Sequence, residues 1–193
     1  MAVRSEQSRR AILEATMDLL DDARSDALTV RDLSIERIAR EAGVSKTTIY
    51  RWWPSKTALI IDTFLDNHIA RTAVCNDLPA IDALREHMVS LAEIYSGHEG
   101  RLIAQLVGEC QFQAEAMAEF KERFWFQRRD AVADLIDRCV AEGSLRDDLD
   151  PAEIVEILYA PIYFRLLWSE GALDRATTEH RLTFALDGLR TAN

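Results

Sequence analysis

Residues 34 to 56 read Ser-Ile-Glu-Arg-Ile-Ala-Arg-Glu-Ala-Gly-Val-Ser-Lys-Thr-Thr-Ile-Tyr-Arg-Trp-Trp-Pro-Ser-Lys. They restrict the fold more than any other stretch, because they prescribe two short helices with a sharp reversal between them. Ile35, Ile38 and Ala39 give the first helix, Ser34 to about Ala42, one apolar side, and the Ser34 hydroxyl can accept from the free amides of its first turn. Gly43 follows at once. Glycine takes the left-handed conformation that a β-carbon resists, so the chain can turn back within about four residues. Val44 plugs the corner and Ser45 caps the second helix. There Ile49 points inward, while Lys46, Thr47, Thr48, Tyr50 and Arg51 crowd the outer face. Cations, hydroxyls and a phenol are the groups that meet phosphates and base edges, which is the shape and chemistry of a DNA reader.

The remainder predicts helices throughout. Seven glycines and four prolines punctuate 193 residues, and no segment alternates apolar and polar residues as a half-buried strand would. A first helix over about 6–24 carries Ile12, Ala15, Leu19 and Ala23 at helical spacing and would brace the two short helices. A connecting helix begins after Pro54 and runs to about residue 73. Helices over about 81–95, 101–113 and 114–142 follow, the last closed by Gly143. Asp150-Pro151-Ala152-Glu153 is a strong helix start, with Asp as cap, Pro at the first helical position and Glu three beyond the cap. The helix it opens is apolar almost all round and contains Pro161, where a kink is expected. A final amphipathic helix covers about 177–190.

These elements predict an all-α fold of about nine helices. Residues 1–55 form a three-helix DNA-binding domain with the helix-turn-helix at about 34–52. A helix over about 55–73 connects it to a helical bundle over 74–193. So much apolar surface on the last two helices predicts a two-fold homodimer with a four-helix interface, built from Ile154, Leu158, Ile162, Arg165, Leu182, Leu186 and Leu189.

A net charge of −10 opposes nucleic-acid binding until its distribution is considered. Residues 1–56 hold 10 Lys+Arg against 9 Asp+Glu, a net of +1, whereas residues 57–193 hold 13 against 24, a net of −11. Only the first part can approach a polyanion, with Arg4, Arg9, Arg10, Arg31, Lys46, Arg51 and Lys56 near the turn or the N-terminus. No apolar run approaches the roughly 20 residues that span a bilayer, and the first 20 residues lack a signal peptide's apolar centre, so a cytoplasmic protein without membrane contact is expected. Cys75, Cys110 and Cys139 lie too far apart for a Cys-x-x-Cys pair, so neither a disulfide framework nor a metal site is expected.

The segment resembles the helix-turn-helix of TetR/AcrR family transcriptional regulators. Its pattern is met by Ile38-Ala39, Gly43-Val44, Ser45-Lys46, Tyr50, Trp53 and Ser55-Lys56; Thr47 stands where many members carry a small residue, and Trp53 replaces the usual phenylalanine. Asp150-Pro151 and the run Tyr159 to Leu166 are similar to the penultimate helix of some members. The resemblance implies an Ω-shaped homodimer that sets its two heads in successive major grooves of a near-palindromic double-stranded operator. It usually implies repression released by a small-molecule effector, here unknown. The same fold also serves activators and ligand-independent regulators.

The expected DNA contacts are Arg31, Ser45, Lys46, Thr47, Thr48, Tyr50, Arg51, Trp52 and Lys56. Among them Thr47 and Thr48 suit base edges or thymine methyls, Lys46 and Arg51 guanine or phosphate, and Tyr50 and Lys56 phosphate. Trp53 is expected in the core. If the later helices form a bundle, His87, Cys110, Phe112, Phe124, Trp125, Tyr159 and Tyr163 are its candidate ligand contacts. An enzyme is the remote alternative: there is no nucleophile motif, no pair of Glu-x-x-His segments and no glycine-rich phosphate loop, and no cofactor is expected.

Overall fold

The computed structural model describes residues 2–68, apart from 22, 24 and 26, and residues 77–190; for 2–5, 67 and 68 it describes the backbone alone. The expected end of the connecting helix at residues 69–73, Cys75 and the side chain of Arg4 lie outside the described residues. All regular structure described is helical: α1 (Ala2–Leu20), α2 (Ile35–Glu41), α3 (Lys46–Trp52), α4 (Lys56–His68), α5 (Ala80–Tyr95), α6 (His98–Cys110), α7 (Ala114–Phe120), a π turn (Lys121–Trp125), α8 (Phe126–Ala141), α9 (Pro151–Trp168) and α10 (Arg175–Leu189). The long helix expected over about 114–142 is thus one run, α7 to α8, with a single π turn inside it.

The chain divides into two compact units, Met1–His68 with Leu102–Phe124, and Ile69–Arg101 with Trp125–Asn193. Residues 102–124, placed by the sequence in the C-terminal domain, therefore cluster with the helix-turn-helix. In this first unit α1 packs against α2, α3 and α4, and α4 against α7. Ile12, Leu19, Ile38, Ile49, Leu59 and Ile61 are fully buried there, and each such side chain contributes roughly 1.5–3 kcal/mol by leaving water. Trp53 is buried as expected, its indole Nε1 donating to Asp62 Oδ2 at 2.8 Å. The Val30 amide donates to Gln105 Oε1 at 2.9 Å, fixing the loop before α2.

In the second unit α5 packs against α8, α9 and α10, and α9 against α8 and α10. The Asp150 carboxylate caps α9 by accepting from the Ala152 amide at 2.8 Å, and Pro151 opens the helix, as the sequence signal requires. Helix α9 continues through Pro161 to Trp168, and Ser169 ends it in the left-handed region at φ 53°. Its apolar residues divide between two sides. Ile154, Val155, Leu158, Tyr159, Ile162 and Leu166 are buried, while Ile157, Phe164, Leu167 and Trp168 face solvent.

Of the expected dimer residues, Ile154, Leu158 and Ile162 of α9 and Leu182, Leu186 and Leu189 of α10 lie on the inner sides of their helices, each 5% exposed or less in the single chain. Arg165 is half-buried, donating to the Glu170 carbonyl at 2.8 Å. The outer apolar surface is one step round the helices, at Ile157, Phe164, Leu167 and Trp168 of α9 and Phe184 of α10.

Candidate nucleic-acid interface and effector cluster

The reversal between α2 and α3 is built from backbone bonds and two serine caps. Ser34 accepts from the Arg37 amide at 3.2 Å and Ser45 from the Thr48 amide at 3.1 Å, so each short helix has a satisfied first turn. At the end of α2 the Val44 amide reaches the Ala39 carbonyl at 2.9 Å and the Gly43 amide the Arg40 carbonyl at 3.3 Å, with Gly43 at φ +64°. That bonding pattern is the Schellman close, which requires a left-handed residue at the position of Gly43. Ile49, with no exposed surface, then pins α3 from below.

With its backbone so fixed, α3 presents its polar side chains outward. Ser45, Lys46, Thr47, Tyr50 and Arg51 are exposed and Thr48 and Trp52 are half-buried; Tyr50 has 54% of its surface open. The Ser45 and Thr48 hydroxyls share a 2.9 Å hydrogen bond, which orients Thr48 while leaving capacity for one more partner. Lys46 Nζ reaches across the turn to Glu36 Oε1 at 2.7 Å. The hydrogen bond from Lys46 holds the Glu36 carboxyl below the usual carboxylate range, and the same bond raises the lysine. Sequence reasoning missed Glu36, because its partner lies ten positions away across a turn. Arg31 is exposed in the loop before α2.

Lys56 stands differently from its expected place on phosphate. Its ammonium donates to the carbonyls of Val30, Arg31 and Leu33 at 3.0, 3.2 and 3.0 Å, which occupies all three of its donors. It ties the loop before α2 to the start of α4. Beside it the Ser55 hydroxyl accepts from the Ala58 amide at 2.9 Å and donates to Glu119 at 3.0 Å. Arg123 bonds Asp62 at 3.1 Å and Glu119 at 3.3 Å, so the carboxylate that receives the Trp53 indole is itself held by a guanidinium.

The expected effector contacts fall into separate groups. His87, Trp125, Tyr159 and Tyr163 come together in the second unit. His87 Nε2 and the Tyr159 hydroxyl share a 2.7 Å hydrogen bond, and Tyr163 shares a longer one, 3.3 Å, with Tyr95. The Trp125 ring stands edge-on to both Tyr159 and Tyr163, with centroids 5.5 and 5.6 Å away. Burial pushes the Tyr95, Tyr159 and Tyr163 phenols above their ordinary value, with the Arg128 charge working the other way, so all three keep their protons at neutral pH. Sequence reasoning missed Tyr95 and Arg128.

The other three candidates lie in the first unit. Cys110 and Phe124 are buried there, Phe124 stacked on Phe120 at 5.1 Å. Phe112 is 86% exposed: α6 ends at Cys110, three residues earlier than expected, so Phe112 sits on the turn that follows.

A helix-turn-helix with an outward polar face, followed by a helical unit with a buried polar cluster, defines the class of DNA-binding transcriptional regulators. Residues 12–63 match the family described as bacterial regulatory proteins of the tetR family, and residues 81–184 match the tetracyclin repressor-like C-terminal domain. The chain is 35% identical over 164 residues to YdeS of Bacillus subtilis, described as an uncharacterised HTH-type transcriptional regulator, covering 85% of this chain and 80% of that one. It is 26% identical over 157 residues to the uncharacterised HTH-type regulator Rv1556 of Mycobacterium tuberculosis, covering 80% and 73%. The crystal structure of the TetR family transcription regulator SCO0332 superposes with a TM-score of 0.80 at 28% identity, covering 96% of this chain and all of that one. The chain belongs to the tetR family of bacterial regulatory proteins. It is a helix-turn-helix transcriptional regulator, not an enzyme. Among the described residues no helix is long and apolar enough to cross a membrane.

Proposed function

We propose that the protein is a homodimeric repressor that reads a near-palindromic operator through two copies of α3 and leaves it when a small effector binds. The observation that carries this reading is the division of labour on α3. Ile49 and the capped turn hold the backbone, while Lys46, Thr47, Tyr50 and Arg51 remain at the surface with Thr48 oriented beside them. A helix so held can enter a major groove and bring these side chains to base edges and phosphates, with Lys46 exchanging Glu36 for a DNA partner. Arg31 and Trp52 contribute at the margin, and Lys56 acts through the loop it holds.

Two-fold pairing is supported by the outer stripe of Ile157, Phe164, Leu167 and Trp168 with Phe184, three of which expose more than half their surface. A second copy of the same stripe covers it with matching chemistry and gives inverted half-sites whose centres lie about 34 Å apart, or a multiple of that. The effector reading rests on the His87–Tyr159 and Tyr95–Tyr163 pairs, which offer donors and acceptors beside Trp125 and suit a flat ligand with polar atoms. Binding couples to DNA only if the ligand prefers one of two arrangements of the heads.

The test is a footprint on the DNA flanking the gene, repeated with Thr47→Ala and Arg51→Ala. Loss of the protected half-sites with an unchanged dimer is expected. If both variants protect the same sites as strongly as the parent, α3 is not the reader.

A further inference from the structure

The second unit contains a hollow away from the tyrosine cluster, between α5, α9 and α10. It is a small hollow of about 380 Å³, its open mouth included. Met88, Leu158 and Leu173 give it an apolar floor, and each is 7% exposed or less. Three polar side chains interrupt that lining. Thr178 is 6% exposed, and its buried hydroxyl has no hydrogen-bond partner. Arg165 and Arg181 stand at the same hollow.

The two arginines are brought together by the α9–α10 loop. Arg165 Nη1 donates to the Glu170 carbonyl at 2.8 Å and Arg181 Nη1 to the Ala172 carbonyl at 3.1 Å, each leaving further N–H groups on its guanidinium. Between those carbonyls Gly171 has φ +78°, and a Cβ there would collide with the Arg165 guanidinium. Burial, and then the like charge of Arg165, hold the Arg181 guanidinium below its usual value. The nearby acid, Asp174, works the other way on Arg181 by its charge, while its oxygens cap α10, accepting from the Thr177 amide at 2.8 Å and its hydroxyl at 3.0 Å. Two cations with spare donors, an unmatched buried hydroxyl and an apolar floor share one opening.

We infer that this hollow is a second small-molecule site, taking a short-chain monocarboxylate whose carboxylate lies between Arg165 and Arg181, accepts from the Thr178 hydroxyl, and whose tail covers Met88 and Leu158. An anion there relieves the repulsion between the two guanidinium groups and satisfies the hydroxyl. A neutral ligand does neither. An inorganic anion leaves the apolar floor wet, and so small an enclosed space admits only a short tail, the rest lying in the open mouth.

Hexanoate added to the full-length protein, followed through the methyl resonances of Met88 and Leu173 and the indole resonance of Trp125, tests this directly. Saturable shifts of the two methyls at millimolar concentration are expected, with hexanol and chloride at least about tenfold weaker. Thr178→Val, which keeps the shape and removes only the hydroxyl, should weaken hexanoate by several-fold, and Arg181→Gln by about tenfold or more. Arg181 also holds a loop carbonyl, so the threonine variant carries the test if the glutamine variant unfolds. Equal binding of hexanol, hexanoate binding untouched by Thr178→Val, shifts confined to Trp125, or no saturable shift at all would each overturn the assignment. None of these outcomes depends on the operator.

Discussion

Helix α3 and the tyrosine–histidine cluster of the second unit use polar residues in opposite ways. On α3 the backbone is fixed by caps, a left-handed glycine and Ile49, while the polar side chains extend into water. In the cluster the polar side chains are themselves the packing: His87 and Tyr159 are buried and bonded to each other, with Trp125 edge-on beside them. A surface that must fit many DNA sequences and exclude most of them needs a stiff platform with mobile contacts. An effector of the kind proposed above, entering the cluster, has to replace a hydrogen-bonded arrangement with something as good.

The largest effect expected from this contrast is on stability. Tyr159→Ala should cost about 3–5 kcal/mol in urea unfolding, and Tyr159→Phe, which removes only the hydroxyl facing His87, about 1–3 kcal/mol. A silent Tyr159→Phe would remove the distinction. Helix α3 should behave in reverse. Arg51→Ala is expected to leave folding within about 0.5 kcal/mol while lowering operator affinity roughly 5- to 100-fold, measured by anisotropy. A loss uniform across sequences assigns Arg51 to phosphate, and one confined to a single base pair assigns it to a base.

Smaller in effect is the platform itself. Gly43→Val forces a β-branched residue to φ +64° and should cost about 1–2 kcal/mol in thermal unfolding, with Gly43→Asn markedly milder. No clash contributes, because a Cβ there meets nothing within 4 Å. The smallest effect probes what the two regions share, a dry core. Burial pushes the Cys110 and Cys139 thiols up to about 11, helped by Glu119 and Glu142 respectively. Their native form is the protonated one, so the stability this confers is complete below the thiol's ordinary value near 9 and declines as pH rises from 9 towards 11. Replacing both by alanine should flatten that part of the pH–stability profile, and in the native protein neither thiol should react with a disulfide reagent at neutral pH.

What could be read from the sequence was what is local. Ser34, Gly43, Ser45 and Ile49 act within one or two turns of their own positions, so their spacing alone located the reading head and the side chains it exposes. Asp150 and Pro151 fixed the start of α9 for the same reason. For the expected dimer residues the limit lies in α9 itself: a helix apolar on every side does not tell which side its own chain will cover. Ile154, Leu158 and Ile162 went inward, and Ile157, Phe164 and Leu167, just as apolar, stayed out. The role of Lys56 and the Glu36–Lys46 pair depended on loop closure, which brings together residues ten to twenty-six positions apart.

The Lys56 ammonium also sets what mutation can do to this position over generations. Three carbonyls converge on one nitrogen at 3.0 to 3.2 Å, a tripod that a tetrahedral ammonium fits. A planar guanidinium spreads its donors along a fork and cannot gather three acceptors at one point, so arginine, the usual charge-preserving replacement, is a damaging one here. The demand on residue 56 comes from the loop before α2, whichever operator the protein reads.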